Sequence, residues 1–322
     1  MDYSVTRESF DTLAAHQSDI NWNLPFVLPD WLRVWWQAFG AGAELYLTAV
    51  RERDDIIGIA PLLVRDKTAA FIGSVDVCDY LDFVIADGKE RDFFDVLLGD
   101  LRQKGITDLD LRTLRPESTV IKYLVGVAIE RGYIVVTKQG DVSLEVDLPE
   151  TWDEYLDMLS RKQRHEVRRK LRGLEEEGDI NYRVIENSAD VRAGFDTFLR
   201  LFATSREDKA NFMTPAMESF FRSLVDAITD SGLLRLSVLE FDGKQVAMLM
   251  YFDYHNTVYL YNSGYDPQYS GLSVGLLSKV WCIRDSISRG RQKFDFLKGG
   301  EIYKYHLGGR EIPLYSCQVK FR

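Results

Sequence analysis

The feature that most limits the folds open to this chain is a hairpin written twice in its sequence. LYLTAVRERDDIIGIAPL, Leu45 to Leu62, lies without gaps over LRLSVLEFDGKQVAMLMY, Leu234 to Tyr251. Leu45 falls on Leu234, Leu47 on Leu236, Thr48 on Ser237, Ala49 on Val238 and Val50 on Leu239. A polar turn follows in each copy, Arg53-Asp54-Asp55 and then Asp242-Gly243-Lys244. Both copies resume with an apolar run carrying a small residue at one place, Gly58 and Ala247. Apolar runs around a short Asp/Gly turn predict a β-hairpin. A second copy about 190 residues further on, one domain length away, predicts two related domains in tandem.

A chain of 322 residues exceeds what one core usually serves, which also favours two domains. The boundary is expected near Pro149, giving domains 1–148 and 149–322, because strands and helices alternate before it and helices dominate after it. A net charge of −10 argues against a general nucleic-acid binder, since phosphate neutralisation needs a basic face. Cys78, Cys282 and Cys317 are far apart and odd in number, so reduced thiols are expected. His16, His165, His255 and His306 have no metal spacing, and no metal is expected. No apolar run is long enough to span a membrane, and the first residues lack the pattern of a signal peptide. The expected location is the cytoplasm.

In the first half, Trp31, Leu32, Trp35, Trp36 and Phe39 recur at helical spacing behind Pro29 and Asp30. They predict a helix whose tryptophans pack the core. Short strands are expected near Phe71-Ile72, from Leu81 to Ile85, from Thr107 to Leu111 and from Tyr133 to Thr137, with helices over 91–103 and 120–130. This alternation indicates an α/β or α+β layered fold. In the second half, a narrow apolar stripe from Trp152 to Leu174 reads as helix. Helices over 191–202 and 217–228 follow, then the second hairpin, a strand over 257–262 and a helix over 272–289. Strands over 293–297 and 314–320 close the chain.

Chemistry has three candidate places. NSGYDPQYSGLSVGLL, from Asn262, is a strand, a loop with Gly264 and Gly271, and a helix start. Free N–H groups and the helix dipole make such a turn a natural anion site. FDFLKGGEIYKYHLGG sets Asp295 in an apolar strand, breaks it at Gly299-Gly300, and crowds Glu301, Tyr303, Lys304 and His306 behind the break. RKQRHEVRRKLRGLEEEG puts seven cations, Arg164 and Arg168 among them, on a helix with few apolar positions. Such a helix is either a solvated face or a phosphate grip built on bidentate arginines.

At these residues the chain resembles the GNAT superfamily, in the tandem-domain branch of CelD-like acetyltransferases and FemAB peptidyltransferases. The resemblance rests on PFVLPDW, IIGIAPLLV, DYLDF (Asp79 to Phe83), the basic helix, VLEFDGKQVA, YNSGYDPQYS and FDFLKGGEIYK, in that order along almost the whole chain. It implies two GNAT-like domains, each with a mixed, largely antiparallel sheet flanked by helices, the acyl donor lying in the second and the acceptor side in the first. Gln268-x-x-Gly271-x-Ser273 approximates the family's pyrophosphate loop, with serine where the last small residue belongs. The resemblance thus implies Asn262, Gln268, Gly271 and Ser273 around an acyl-CoA, acetyl-CoA in the simplest case. It implies Arg164, Arg168, Asp79 and Tyr80 toward the acceptor, and Lys304 as a residue important in FemAB-type enzymes.

The expected reaction is N-acyl transfer by direct attack of an amine on the donor carbonyl. No G-x-S-x-G nucleophile motif occurs. Glu301, Asp266 or Asp295 is the expected base, Lys304 the cation facing developing negative charge, and Tyr303 or Tyr261 the acid for the leaving thiolate. The acceptor is a small-molecule amine, a sugar nucleotide or a surface-polysaccharide precursor. Two alternatives stand beside this: an aminoacyl-tRNA donor, which would make tRNA a partner, and a non-catalytic scaffold on a degenerate GNAT fold.

Overall fold

The computed structural model describes residues 2–16, 20–74 and 76–321. They form two compact units, 2–142 with 312–321 and 143–311. The first holds β1 (Tyr3–Arg7), α1 (Phe10–Ala15), α2 (Pro29–Phe39), β2 (Glu44–Glu52), β3 (Asp55–Arg65), β4 (Thr68–Phe71), β5 (Val84–Ile85), α3 (Glu90–Gln103), β6 (Asp108–Leu114) and α4 (Val125–Glu130). β7 (Ile134–Asp147) carries the chain into the second unit. There follow α5 (Trp152–Met158), α6 (Arg161–Glu177), β8 (Ile180–Ile185), α7 (Ser188–Ser205), α8 (Glu207–Phe212), α9 (Pro215–Ile228), β9 (Leu234–Phe241), β10 (Lys244–Tyr254), β11 (Thr257–Tyr265), α10 (Val274–Ser288), β12 (Lys293–Lys298) and α11 (Ile302–His306). β13 (Arg310–Lys320) then returns to the first unit, where Tyr315 to Lys320 pair with β6. A contiguous division at Pro149 leaves this return out, because the partner of β13 lies some 200 residues upstream and no local signal points to it.

The repeated hairpin is a repeat in three dimensions. Val50 faces Gly58 in the first copy, and Leu239 faces Ala247 in the second. Next to these pairs the register shifts in both copies, leaving Ile57 and Val246, which hold the same place, as the extra residue of a β-bulge. The correspondence runs further than the sequence shows by eye. Asp66-Lys67 turn β3 into β4 with φ of 47° and 62°, and His255-Asn256 turn β10 into β11 with φ of 48° and 57°. Each unit then makes one parallel pair: Thr68 lies beside Asp108 on β6, and Thr257 beside Lys293 on β12. Both sheets are mixed and otherwise antiparallel among the described pairs. Their orders are β1-β2-β3-β4-β6-β13, with β5 on β3, and β7-β12-β11-β10-β9-β8.

Local sequence explains most boundaries. Pro29 stands at the first position of α2, where its missing N–H costs nothing. Trp31 and Trp35 are buried, and Trp31 meets Phe26 edge-on at 5.0 Å, so these tryptophans pack the core. Full burial of one such ring contributes about 3 kcal/mol. The stripe from Trp152 to Leu174 is two helices rather than one. Thr151 and Glu154 form a capping box for α5, and Ser160 accepts from the Gln163 amide to start α6 afresh. Short β1, β8, α1, α8 and α11 carry too few apolar positions to have shown a period.

In the second unit, α7 and α10 cover opposite faces of the sheet. A side chain at Gly194 on α7 would meet Ile185, Leu236 and Met248, whereas Trp281 on α10 stacks on Tyr182. Ile185 and Tyr182 are three apart on β8 and so point to opposite sides.

Candidate active site

The second unit's sheet splits at its parallel pair. β11 and β12 pair only from Thr257 to Tyr259 and from Lys293 to Asp295, yet β11 runs on to Tyr265 and β12 to Lys298. On β11 a second bulge sits at Tyr261, because Met250 faces Asn262 while Tyr251 faces Leu260. Asn262 follows the bulge on the arm that leaves the pair. A sheet opened this way exposes backbone donors and acceptors that a paired strand would spend.

The turn from β11 into α10 is ordered by its own residues. Asp266 accepts from the Gln268 amide at 3.0 Å, and Ser273 enters α10 at φ 58°. Gln268 and Gly271 are exposed, and a side chain at Gly271 would meet open space. The glycine that close packing requires is Gly275, where a Cβ would lie 2.8 Å from the Tyr265 ring. The Lys170 ammonium on α6 donates to the Ser273 hydroxyl, so the basic helix and the start of α10 are in direct contact. Along α6 only Val167 and Leu174 are buried. Arg161, Lys162, Arg164, His165 and Arg168 line a groove of 790 Å³. Arg164 is paired with Asp157, and Arg168 is exposed.

The C-terminal motif is a strained turn with its own fastenings. Leu297 has φ 61°, in the region that a branched side chain avoids. Its amide donates to Asp295 Oδ1 at 2.8 Å, and its carbonyl accepts from Lys304 Nζ at 3.1 Å. Lys304 is 2% exposed and also donates to the carbonyls of Lys298 and Gly299, at 2.7 and 3.0 Å. Glu301 completes its surroundings at 2.8 Å. An ammonium has three N–H groups, and here four oxygens share them. Burial would raise the Glu301 carboxyl, but the hydrogen bond and charge of Lys304 outweigh it and hold it below its ordinary range. Asp295 and Glu301 are therefore engaged in building the turn, and the base role expected of them meets two carboxylates already committed. Burial pushes the Tyr303 phenol well up, so it stays a neutral donor.

Two lysines that sequence reasoning passed over come to the same place. Lys209 on α8 donates to the Ser263 carbonyl on β11 and lies 4.9 Å from the Phe202 ring centre. Lys279 on α10 is 6% exposed, donates to the Gly275 carbonyl at 2.7 Å and lies 5.1 Å from the Tyr303 ring centre. Burial, then the Lys209 charge, lowers Lys279 to about 7. Burial, then Arg206, lowers Lys209 to about 8. The one sequence signal was Lys279 itself, a lone cation inside the apolar run VGLLSKVWCI.

In the first unit, Tyr80 is fully buried, edge-on to Phe26 at 6.0 Å and beneath the Arg115 guanidinium at 4.9 Å. A ring so enclosed presents no surface to a substrate, and its role in DYLDF is packing. Asp79 beside it is half-buried. Among the described residues, no group of three or more His, Cys, Asp or Glu side chains is placed to hold a metal, and no helix is long and apolar enough to cross a membrane.

Residues 161–305 match the family model of the acetyltransferase (GNAT) domain. Comparison with curated proteins gives no sequence match. Among solved structures, the crystal structure of FemX is similar over 97% of this chain and 96% of that one, at 11% identity and a TM-score of 0.67. The structure of L-PGS from Bacillus licheniformis is similar over 89% and 90%, at 11% identity and a TM-score of 0.56. The C-terminal domain of a putative lysylphosphatidylglycerol synthetase from Agrobacterium fabrum is similar over 82% and 81%, at 13% identity and a TM-score of 0.55. Identities this low speak for fold alone. Most of the second unit thus matches the model of a GNAT domain, and the chain as a whole shares the mixed α/β fold of these three structures.

Proposed function

We propose that this GNAT acyltransferase moves an acyl group, acetyl in the simplest case, from acyl-CoA to the nitrogen of a small-molecule amine. The observation that carries the reading is the split between β11 and β12, with a turn and the N-terminus of α10 at the end of the longer arm. Free N–H groups at that N-terminus suit the donor's pyrophosphate, with Gln268, Gly271 and Ser273 in the turn before it. Lys170 on Ser273 brings α6 alongside, so Arg164 and Arg168 suit further phosphates of donor or acceptor. Asn262, beside the bulge, suits the thioester, and backbone N–H groups on the open arm suit the oxyanion.

In this reading the amine nitrogen forms its bond to the acyl carbon as the carbon–sulfur bond breaks. Tyr303, a buried neutral phenol, passes its proton to the leaving sulfur and regains one from the proton that the nitrogen sheds as the amide forms. The acceptor's ammonium proton leaves through water, since Asp295 and Glu301 are spent on the turn. Lys304 is a positioning residue, locking the segment that carries Tyr303.

An aminoacyl-tRNA donor is the second reading. It is favoured by the resemblance to FemAB peptidyltransferases in sequence, and by the row of cations along α6. One experiment separates the two. Acetyl-CoA and CoA are titrated against the purified protein, with melting temperature and heat as readouts. Saturable binding weakened by Gly271→Glu, which puts a carboxylate into open space at the turn, establishes the CoA donor. Absence of binding, together with tRNA retained on the immobilised protein and lost on RNase treatment, replaces it with the second reading. Absence of both leaves a non-catalytic scaffold.

A further inference from the structure

Three lysines converge where the sheet of the second unit opens, and their arrangement is incomplete. Lys209 stands on the β11 arm, through the Ser263 carbonyl. Lys304 stands on the β12 arm, through the carbonyls of Leu297, Lys298 and Gly299. Lys279 comes from α10, which links the two arms. α7, which leads into α8 and Lys209, covers one face of the sheet, and α10 covers the other. The charge of Lys209 reaches Lys279, and beyond Tyr259 and Asp295 no pairing closes the gap between β11 and β12.

The charges do not balance. Facing Lys279 are Lys209 from α8, Glu301 from the turn, Lys304 and the Tyr303 ring from α11, and the buried Cys282 thiol of its own helix. Facing Lys209 are Arg206, Asp208 and Glu301. Asp208 is bound by Arg206, and Glu301 by Lys304. Among the described residues, no carboxylate forms an ion pair with Lys209 or Lys279. Each spends one N–H on a backbone carbonyl and keeps two. Cations held out of water without a counter-charge are costly, and a ligand that supplies the charge removes the cost.

We propose that Lys209 and Lys279, backed by the fixed charge of Lys304, form a binding subsite for an oxyanion, the phosphate or carboxylate of a substrate, in the split between β11 and β12. The inference deepens the acyltransferase reading by naming the charge of the group that enters. Its consequence is linked protonation. Lys209 near 8 and Lys279 near 7 are partly or mostly neutral at pH 8. An anion favours the charged form of both, so binding draws about one proton into the protein.

The test is calorimetric titration of the purified protein at pH 8 with sulfate and with malonate, in Tris and in EPPS, whose ionisation enthalpies differ. Neither probe titrates appreciably at that pH, so any proton taken up belongs to the protein. Saturable binding with uptake of about one proton is expected. Lys279→Met and, on a separate helix, Lys209→Met each weaken it about tenfold and reduce the uptake. Preference for sulfate marks a phosphate-bearing substrate, and preference for malonate a carboxylate. Failure of both probes to bind, binding without uptake, or uptake retained in both lysine variants overturns the subsite. Acyl-CoA binding is measured separately, so either reading fails without the other.

Discussion

Gly264 and Phe202 meet through their backbones: a Cβ placed on Gly264 would lie 2.3 Å from the Phe202 amide nitrogen. The contact sets the end of α7 directly against β11, one residue after Ser263, where Lys209 is anchored. Backbone gives way less readily than a side chain. Gly264→Ala is therefore expected to cost about 3 kcal/mol, at the upper end for overpacking. Gly271→Ala, in open space, is expected to change stability by less than about 0.5 kcal/mol. Urea unfolding of both variants checks the contrast, and equal midpoints would refute it.

Lys304 gives a second stability prediction, because a buried cation and its oxygens stand or fall together. Lys304→Met leaves the Leu297, Lys298 and Gly299 carbonyls without their donor and releases the strained turn at Leu297. A loss of about 3 kcal/mol is expected. Glu301→Gln, at a half-exposed partner, is expected to cost less than about 1 kcal/mol. A Lys304→Met protein as stable as the parent would mean that the ammonium's purpose is chemical rather than structural.

The hairpin repeat was legible because apolar runs and the short polar turn between them are local, and both copies keep them. The bulge at Ile57 and Val246 was not, since an extra residue in a ladder appears only when the partner strand is known. The C-terminal motif was found for the right reason, titratable groups behind a glycine break. What the sequence could not show is that Asp295 holds the Leu297 amide and that Lys304 pairs with Glu301 and three backbone carbonyls, because those contacts appear only once the turn is folded. Lys209 and Lys279 were passed over for the opposite cause. Lys209 is the single cation of α8 and Lys279 stands alone in the apolar first half of α10, and only the fold brings the two helices' lysines to the open end of the sheet.

The basic helix gives a prediction about binding rather than folding. Arg168 is exposed, and the Arg164–Asp157 pair is a surface one, so Arg164→Ala with Arg168→Ala should leave stability within about 1 kcal/mol of the parent. Under the proposed acyl-CoA reading, CoA affinity should fall about tenfold at low salt, and less at high salt, where screening already weakens the parent. Dissociation constants at two salt concentrations decide it. Unchanged affinity at low salt would return α6 to the role of a solvated face.

Asp82, in the DYLDF segment of the first unit, makes stability depend on pH in a direction that can be fixed beforehand. Its carboxylate accepts from the Thr119 hydroxyl at 2.6 Å, the Thr119 amide at 2.8 Å and the Phe83 amide at 2.9 Å. Burial still dominates these bonds and pushes it up to about 6. Unfolded, the group titrates near 3.9. Between those values the folded protein holds a proton that the unfolded chain has lost. The resulting stabilisation is complete below about pH 4 and gone above about pH 6. Asn at this position carries no such linkage, though it costs one amide bond at every pH. The melting temperature of Asp82→Asn should therefore gain on the parent as pH rises from 4 to 7. A difference between the two proteins that stays constant over that range would show that Asp82 is ionised throughout and that its hydrogen bonds outweigh its burial.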